Sequence, residues 1–330
     1  MSVFEPPSLD LPAGVQCHHW QVGAPPLALG RPLAAAIGNF DGVHTGHHHL
    51  IRATMGHDGM DAAVITFTPH PRRFFAPDCD GFSLADARDK RAFLADCGVS
   101  QVIEVVFDTA LRETSATDFI TMILPALGVR HLHAGLDFAF GNDRSGNMDL
   151  VQKLGSETGI TACPFELRED AGEIISSSRV RKVLTDGDVR TAARLLGRPY
   201  IMSGEVVSGD QRGRLIGFPT ANLRCPEMQA PRHGVYAIAV RLADQPGAPV
   251  YAGVANFGRR PTVEDRGVLL EVHLFDYDGD LYGQRLNVML LDFIRPEQAF
   301  EGIEALKEQI DRDAAVARAF HQDETGLTGS

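Results

Sequence analysis

Leu33-Ala34-Ala35-Ala36-Ile37-Gly38-Asn39-Phe40-Asp41-Gly42-Val43-His44-Thr45-Gly46-His47 decides the fold of the first half of the chain. Five consecutive apolar residues mark a strand buried on both faces. Three glycines at every fourth position then allow a tight turn whose backbone can approach a ligand closely. Gly46 to about Gly56 leaves room for a helix. Outward from this unit the same alternation continues. Ala62–Thr68, Gln101–Phe107, Arg130–Ala134 and Ile160–Phe165 read as strands. Ser83–Cys97, which opens on a capping-box-like Ser83-x-x-Asp86, reads as a helix, as do Thr117–Leu127 and Met148–Leu154. Ser178–Leu196 holds one or two more. The pattern predicts an α/β domain with a mostly parallel sheet and right-handed crossovers, and ligands at the C-terminal ends of its strands.

Past Gly197-Arg198-Pro199 the rhythm changes. Ile201–Val207, Gly234–Leu242, Val250–Asn256, Leu269–Phe275 and Leu286–Phe293 are β-rich segments between Gly, Pro and Asp turns, which predicts an antiparallel barrel or sandwich. Pro296 precedes Glu297–Phe320, a helix expected to cap it, and the polar tail His321–Ser330 is expected to be unstructured. The expected domains are 1–197 and 198–330.

With 330 residues the chain has room for both. It carries 31 Lys+Arg against 43 Asp+Glu, a formal net charge of −12, and the acidic excess runs through both halves. No part offers the positive field that nucleic acid or an anionic membrane surface requires. No run approaches the ~20 apolar residues of a membrane span. Met1–Leu11 lacks the order of a signal peptide. The five cysteines (Cys17, Cys79, Cys97, Cys163 and Cys225) are scattered with no C-x-x-C, which suggests neither a disulfide framework nor a zinc knuckle. The expectation is a cytoplasmic protein without nucleic-acid or membrane partners, with self-association left open.

Two polar constellations stand out in the first domain. His44 and His47 are three apart and share a face at a helix start, where imidazoles beside exposed N–H groups can cradle a polyphosphate. Ordinary packing is the competing reading of a His-x-x-His pair. His47-His48-His49 is a poor chelator, because consecutive helical residues point in different directions. No G-x-G occurs in the chain, which removes the redox dinucleotide fingerprint. Ile175-Ser176-Ser177-Ser178-Arg179-Val180-Arg181 places hydroxyls and guanidiniums at another helix start, either as a simple cap or as a grip on a triphosphate. Ala134–Gly146 follows a strand, which brings Asp137 near the same sheet edge.

In the second domain Gly209, Gly213 and Gly217 recur every four residues in a polar stretch with Arg214, suited to wrapping phosphates or to simple turns. It contains no Walker A loop. Thr220 and Asn222, just past Pro219, offer hard oxygen ligands that suit Mg²⁺. In Leu269–Phe275, period-two alternation puts Glu271 and His273 on one face. Glu271 is either a solvated outer-face residue or an inward-facing base for an attacking hydroxyl.

Together these segments resemble a known family. Gly38-Asn39-Phe40-Asp41-Gly42-Val43-His44-x-Gly46-His47, then Gly135-x-Asp137-Phe138-x-Phe140-Gly141-x-x-Arg144-x-Gly146, then Ile175-Ser176-Ser177-Ser178-x-x-Arg181 resemble the adenylyltransferase module of bacterial bifunctional riboflavin kinase/FAD synthetases. Thr66–Pro71 matches the segment after that module's second strand. Ala139 stands where many members carry Arg. Gly217-Phe218-Pro219-Thr220-Ala221-Asn222, Gly253–Thr262, Glu271-Val272-His273 and Asp280-Leu281-Tyr282-Gly283 resemble its riboflavin kinase module.

The resemblance implies a Rossmann-like nucleotidyltransferase domain followed by an antiparallel β-barrel with a terminal helix. It implies that the barrel makes FMN from riboflavin and ATP, and that the first domain makes FAD and pyrophosphate from FMN and ATP. His44 and His47 would contact ATP phosphates beside Gly38, Asn39 and Phe40. Ser177, Ser178 and Arg181 would hold the triphosphate, and Asp137 would line the nucleotide or flavin pocket. In the barrel, Gly213, Arg214, Gly217, Pro219, Thr220 and Asn222 would bind ATP, with Thr220 and Asn222 serving Mg²⁺. Glu271 would be the base on the ribityl 5′-hydroxyl, and Arg260 and Arg295 would lie near flavin phosphate. A kinase with a silent first domain, or a flavin carrier without turnover, are the rival readings.

Overall fold

The computed structural model describes residues 11–77, 81–207, 218–225, 228–243, 245, 248–259 and 268–326. They form two compact units. One comprises the described residues of Ser8–Cys79 and Ala87–Ser176; the other, those of Asp80–Asp86 and Ser177–Ser330.

The first unit is built on six parallel strands: β1 (Gln16–Trp20), β2 (Leu33–Ile37), β3 (Asp61–Thr68), β4 (Gln101–Val106), β5 (Val129–Gly135) and β6 (Thr161–Phe165), in the order β1-β4-β3-β2-β5-β6. Every residue of β2 is at most 1% exposed, as a central strand covered on both faces requires. The helices are α1 (Thr45–Arg52), α2 (Pro71–Phe75), α3 (Ala87–Ala95), α4 (Thr109–Glu113), α5 (Ala116–Asp118), α6 (Leu124–Ala126) and α7 (Met148–Thr158), with a π-helical turn at Phe119–Ile123 joining α5 to α6. Phe119, Ile120, Leu124 and Leu127 from that segment form one core with Ile37, Ile65, Ile103 and Leu132 from the sheet. Asn147 caps α7 by accepting from Leu150 N at 2.9 Å, and Gly159 ends it at φ 68°. Strand order reverses between β2 and β5. That switch point opens a crevice at the C-terminal ends of both strands, where Gly38–His44 and Leu136–Asp137 emerge. A small hairpin, β7 (Glu169–Asp170) with β8 (Glu173–Ile174), follows β6.

The second unit begins with α8 (Ser177–Asp186) and α9 (Val189–Leu196). A closed barrel follows, ordered β10-β13-β12-β11-β14-β9 and made of β9 (Tyr200–Val207), β10 (Ala221–Leu223), β11 (Gly234–Leu242), β12 (Tyr251–Arg259), β13 (Val268–Leu274) and β14 (Arg285–Pro296), all neighbours antiparallel. The final helix, α10 (Ile303–Gly326), lays Ala314 and Ala317 on Val235, Ala237, Val254 and Phe275. Arg295 fixes it: Nε donates to both oxygens of Asp313 at 2.9 and 3.0 Å, and Nη2 donates to Oδ2 at 2.7 Å.

Several expectations need correction. The helix expected from Ser83 starts at Ala87, because Ser83 O accepts from Gln229 N at 2.7 Å and the Asp86 carboxylate pairs with Arg285. By compactness, α8 and α9 group with the barrel, the second unit taking up the chain from Ser177. α9 packs on β9 and β14, and Arg190 clamps Asp292 at 2.9 and 3.0 Å. The terminal helix begins at Ile303 rather than Glu297 and runs through Gly326. His321–Gly326, expected to be unstructured, is helical, with His321 Nε2 2.9 Å from Ile238 O, and residues 327–330 lie outside the described residues.

Candidate active site

In the first unit the loop after β2 is tightly constrained. Phe40 and Val43 adopt φ of 47° and 42°, and Gly42 adopts 75°. Left-handed backbone at non-glycine residues costs about 1–3 kcal/mol each and is held by its surroundings; here Phe40 and Val43 are at most 1% exposed. A side chain at Gly38 would put Cβ 3.3 Å from the Phe40 ring, so glycine admits that ring beneath the loop.

The loop delivers His44 as the N-cap of α1. Its Nδ1 accepts from His47 N, and His47 Nδ1 accepts from His44 N, both at 3.3 Å. The rings stack with centroids 3.5 Å apart and planes 15° apart. An imidazole whose Nδ1 accepts carries its proton on Nε2 when neutral. The reciprocal cap therefore turns two Nε2–H donors away from the helix backbone. A Cβ on Gly46 would lie 3.2 Å from the His44 ring and 3.6 Å from Ile175 O, so the chain just before Ser176 passes over this helix start.

Lys90, on α3, braces the loop from the sheet side. Its Nζ donates to Thr66 Oγ1 at 3.0 Å, Phe67 O at 3.4 Å and Asn39 O at 3.5 Å, while Thr66 Oγ1 donates to Asn39 O at 3.1 Å. Burial pushes its pKa down, with Glu104 and Asp41 opposing that shift. Sequence reasoning missed Lys90; a lysine in the otherwise apolar stripe of α3 was the available signal. Asp137 is exposed in the turn after β5.

In the second unit, Ser177 and Ser178 open α8, and Arg181 lies one turn on. Arg181 donates Nε to Phe82 O at 3.0 Å and stacks 3.8 Å over the Phe82 ring, a cation–π contact that fixes the guanidinium.

The barrel assembles its own group. Asn222 on β10 is in register with Glu271 on β13, which is in register with Asn256 on β12. Cross-strand partners share a face, so three polar side chains form a row across three strands. His273 pairs with Val254, which packs under α10, so Glu271 and His273 are on the outer face. The expectation of an inward-facing carboxylate is thereby corrected: the inner positions are taken by Leu270, Val272 and Leu274, which alternate with them. Asn222 is 4% exposed and Glu271 is half-buried. His273 Nδ1 lies 2.9 Å from Pro219 O, and its ring meets Phe218 edge-on at 5.3 Å. This second unforeseen positioning residue fixes the segment that carries Thr220. A cavity of about 240 Å³ at the barrel mouth is lined by Thr220, Pro219, Val272, Asp278, Asp280 and Tyr282, among others. Arg295 is committed to Asp313. Gly213, Arg214, Gly217 and Arg260 lie outside the described residues.

A helix start carrying two stacked imidazoles at a strand switch point, and in the same chain a barrel with a carboxylate in a polar cross-strand row, mark a two-centre phosphate-transferring enzyme. The comparisons make this specific. The family model for FAD synthetase matches residues 28–179, and that for riboflavin kinase matches residues 196–321. The bifunctional riboflavin kinase/FMN adenylyltransferase of Pseudomonas fluorescens is 42% identical over 295 residues, 88% of this chain and 93% of its own. The Escherichia coli K12 protein of the same name is 41% identical over 288 residues, 86% and 91% of the two chains; that of Bacillus subtilis is 36% identical over 291 residues, 86% and 90%. A solved structure described as a macrolide-efflux protein from Streptococcus pneumoniae is 28% identical, with a TM-score of 0.79 over 91% of this chain and 98% of its own. Among the described residues no helix is long and apolar enough to cross a membrane. The chain belongs to the bifunctional riboflavin kinase/FMN adenylyltransferase family. It is an ATP-using flavin kinase and nucleotidyltransferase in one chain.

Proposed function

We propose that residues 198–330 transfer the ATP γ-phosphoryl group to the ribityl 5′-hydroxyl of riboflavin, and that residues 1–197 transfer AMP from a second ATP to the resulting FMN. The observation that carries the kinase half is the Asn222–Glu271–Asn256 row beside Thr220. Glu271 accepts the proton as the 5′-oxygen bonds to the γ-phosphorus and the bond to the β-bridging oxygen breaks, releasing ADP. Thr220 and Asn222 supply hard oxygens that fit Mg²⁺, held with ATP. Bound there, the ion would supply charge neutralisation on the phosphates.

In the first domain the FMN phosphate oxygen attacks the ATP α-phosphorus and pyrophosphate leaves. His44 and His47 donate Nε2–H to the phosphate oxygens on which charge grows, and the rigid reciprocal cap holds those donors in place beforehand. Ser177, Ser178 and Arg181 bind the triphosphate, Gly38, Asn39 and Phe40 shape the loop, and Asp137 lines the pocket. Gly213, Arg214, Gly217 and Pro219 contribute to the kinase ATP site, and Arg260 lies near flavin phosphate.

The test is a time course of riboflavin, FMN and FAD after mixing protein, riboflavin, ATP and Mg²⁺. FMN rises first and FAD follows. Glu271→Ala loses FMN formation while still adenylylating supplied FMN; the His44→Ala/His47→Ala pair does the reverse. Equal loss of both activities in Glu271→Ala removes its assigned role. FMN without any FAD, even from supplied FMN, leaves a kinase with a silent first domain.

A further inference from the structure

Three histidines apart from both candidate sites meet on one side of the parallel sheet. His131 and His133 are two apart on β5, so strand alternation turns both to one face. His57 reaches them from the turn between α1 and β3. One ring nitrogen of each lies within 4.8 Å of the other two. His57 Nε2 and His133 Nε2 are 3.2 Å apart. The His57 ring sits edge-on to both partners, with centroids at 4.5 Å from His131 and 5.2 Å from His133. His133 is 6% exposed and the other two are half-buried. Among the described residues, His131 Nδ1 is buried with no hydrogen-bond partner.

A hydrogen bond between His57 and His133 accounts for one of these contacts and leaves His131 Nδ1 unexplained. A metal ion accounts for all three. Zinc binds imidazole at about 2.0–2.1 Å in a tetrahedral shell, which sets two ligand nitrogens about 3.4 Å apart, close to the 3.2 Å between His57 and His133 Nε2. A nitrogen-only set disfavours Mg²⁺ and Ca²⁺, which require oxygen ligands, and suits borderline dications of the later first row. Two of the three ligands stand on a strand inside a six-stranded sheet, so most of the ordering cost is already met by the fold.

We propose that His57, His131 and His133 form a binding site for a transition-metal dication such as Zn²⁺, with water completing a four-coordinate shell. The site is distinct from the oxygen ligands assigned to Mg²⁺ and does not depend on the functional reading above. It ties the turn that ends α1 to β5. α1 ends at Arg52, so His57 follows the end of the helix opposite the His44–His47 cap. A bound ion therefore anchors the far end of the helix that presents those two rings.

The experiment uses the full chain, stripped of metal and kept in Mg²⁺-containing buffer. Co²⁺ is added as a spectroscopic probe, and Zn²⁺ is then titrated in competition with a chromophoric chelator. One equivalent of Co²⁺ gives the intense visible bands of a four-coordinate site, Zn²⁺ displaces it, and the Tm rises. His57→Ala and His131→Ala each weaken Zn²⁺ binding at least about 100-fold, more than the loss of an outer-shell partner does. His49→Gln, exposed on α1, leaves it unchanged. Weak binding of no fixed stoichiometry, indifferent to His57→Ala, means an adventitious ion only and overturns the proposal. Loss of binding in His49→Gln overturns it equally. Should His131→Ala fail to fold, His57→Ala, a change in a turn, decides the matter alone.

Discussion

Arg295→Met is expected to destabilise the barrel unit by about 3 kcal/mol. Arg295 gives Asp313 three charge-assisted hydrogen bonds between 2.7 and 3.0 Å, and Gln309 Nε2 adds a fourth at 2.8 Å. Asp313 is 4% exposed. Methionine keeps most of the aliphatic stem and removes the cation, leaving a buried carboxylate with one neutral donor. Removing one member of a buried pair costs about 3–5 kcal/mol; the partly exposed guanidinium and the surviving Gln309 bond put this case at the lower end. For a unit of roughly 150 residues, that is a fall in Tm of about 6–12 °C. All five tyrosines lie in the barrel unit and the single tryptophan, Trp20, lies in the other. Tyrosine near-UV signals during urea unfolding therefore read the affected unit, and Trp20 fluorescence reads its neighbour. Arg295→Met/Asp313→Leu removes both charges and should recover most of the loss. A single variant costing under about 1 kcal/mol, or a double variant as unstable as the single, refutes this account. An unchanged KM for riboflavin in folded Arg295→Met would further mark Arg295 as a residue that positions the helix rather than a flavin contact.

Other outcomes follow from particular contacts. His133 is pushed down to about 4, first by burial and then by His57 and His131. In metal-free protein the unfolded chain therefore binds the extra proton first. Stability is complete above about pH 6.5 and falls by about 2 kcal/mol as pH drops toward 4, a figure discounted for its half-exposed neighbours. Urea midpoints across that range measure it, and a His133→Leu variant with the same slope refutes it. His273→Phe keeps the ring against Phe218 but removes the Pro219 bond, so the kinase KM for ATP should rise several-fold with FMN adenylylation unchanged. Asn147→Ala removes the α7 cap and should cost about 1 kcal/mol by chemical denaturation.

What was legible in the sequence depended on how much of the physics was local. β2 was readable because a central strand must be apolar throughout. β1 was not, since an edge strand of five residues carrying His18 and His19 has one wet side. The π turn at Phe119–Ile123 was hidden inside a good helical pattern. Ser83 and Asp86 imitated a helix cap, but their partners, Gln229 and Arg285, lie far along the chain and outcompeted it. Among site residues, His44, His47, Thr220, Asn222 and Glu271 stood out because each belongs to a short motif. Lys90 and His273 act through contacts 23 or more residues away, and His57 meets His133 across 76. No periodicity records contacts of that span.

The excursion of Gly81–Asp86 into the barrel unit bears on how the chain is made. Asp86 and Arg285 are 199 residues apart, and Ser83 bridges Met228. Early-synthesised residues thus wait for partners that leave the ribosome near the end of translation, so the barrel unit cannot close while its chain is still growing. A gene fragment beginning at Ser177 or Arg198 would encode every strand of the barrel and still lack the Ser83 bridge and the carboxylate that meets Arg285. Exchange of the barrel between relatives by recombination at either point would carry that mismatch with it.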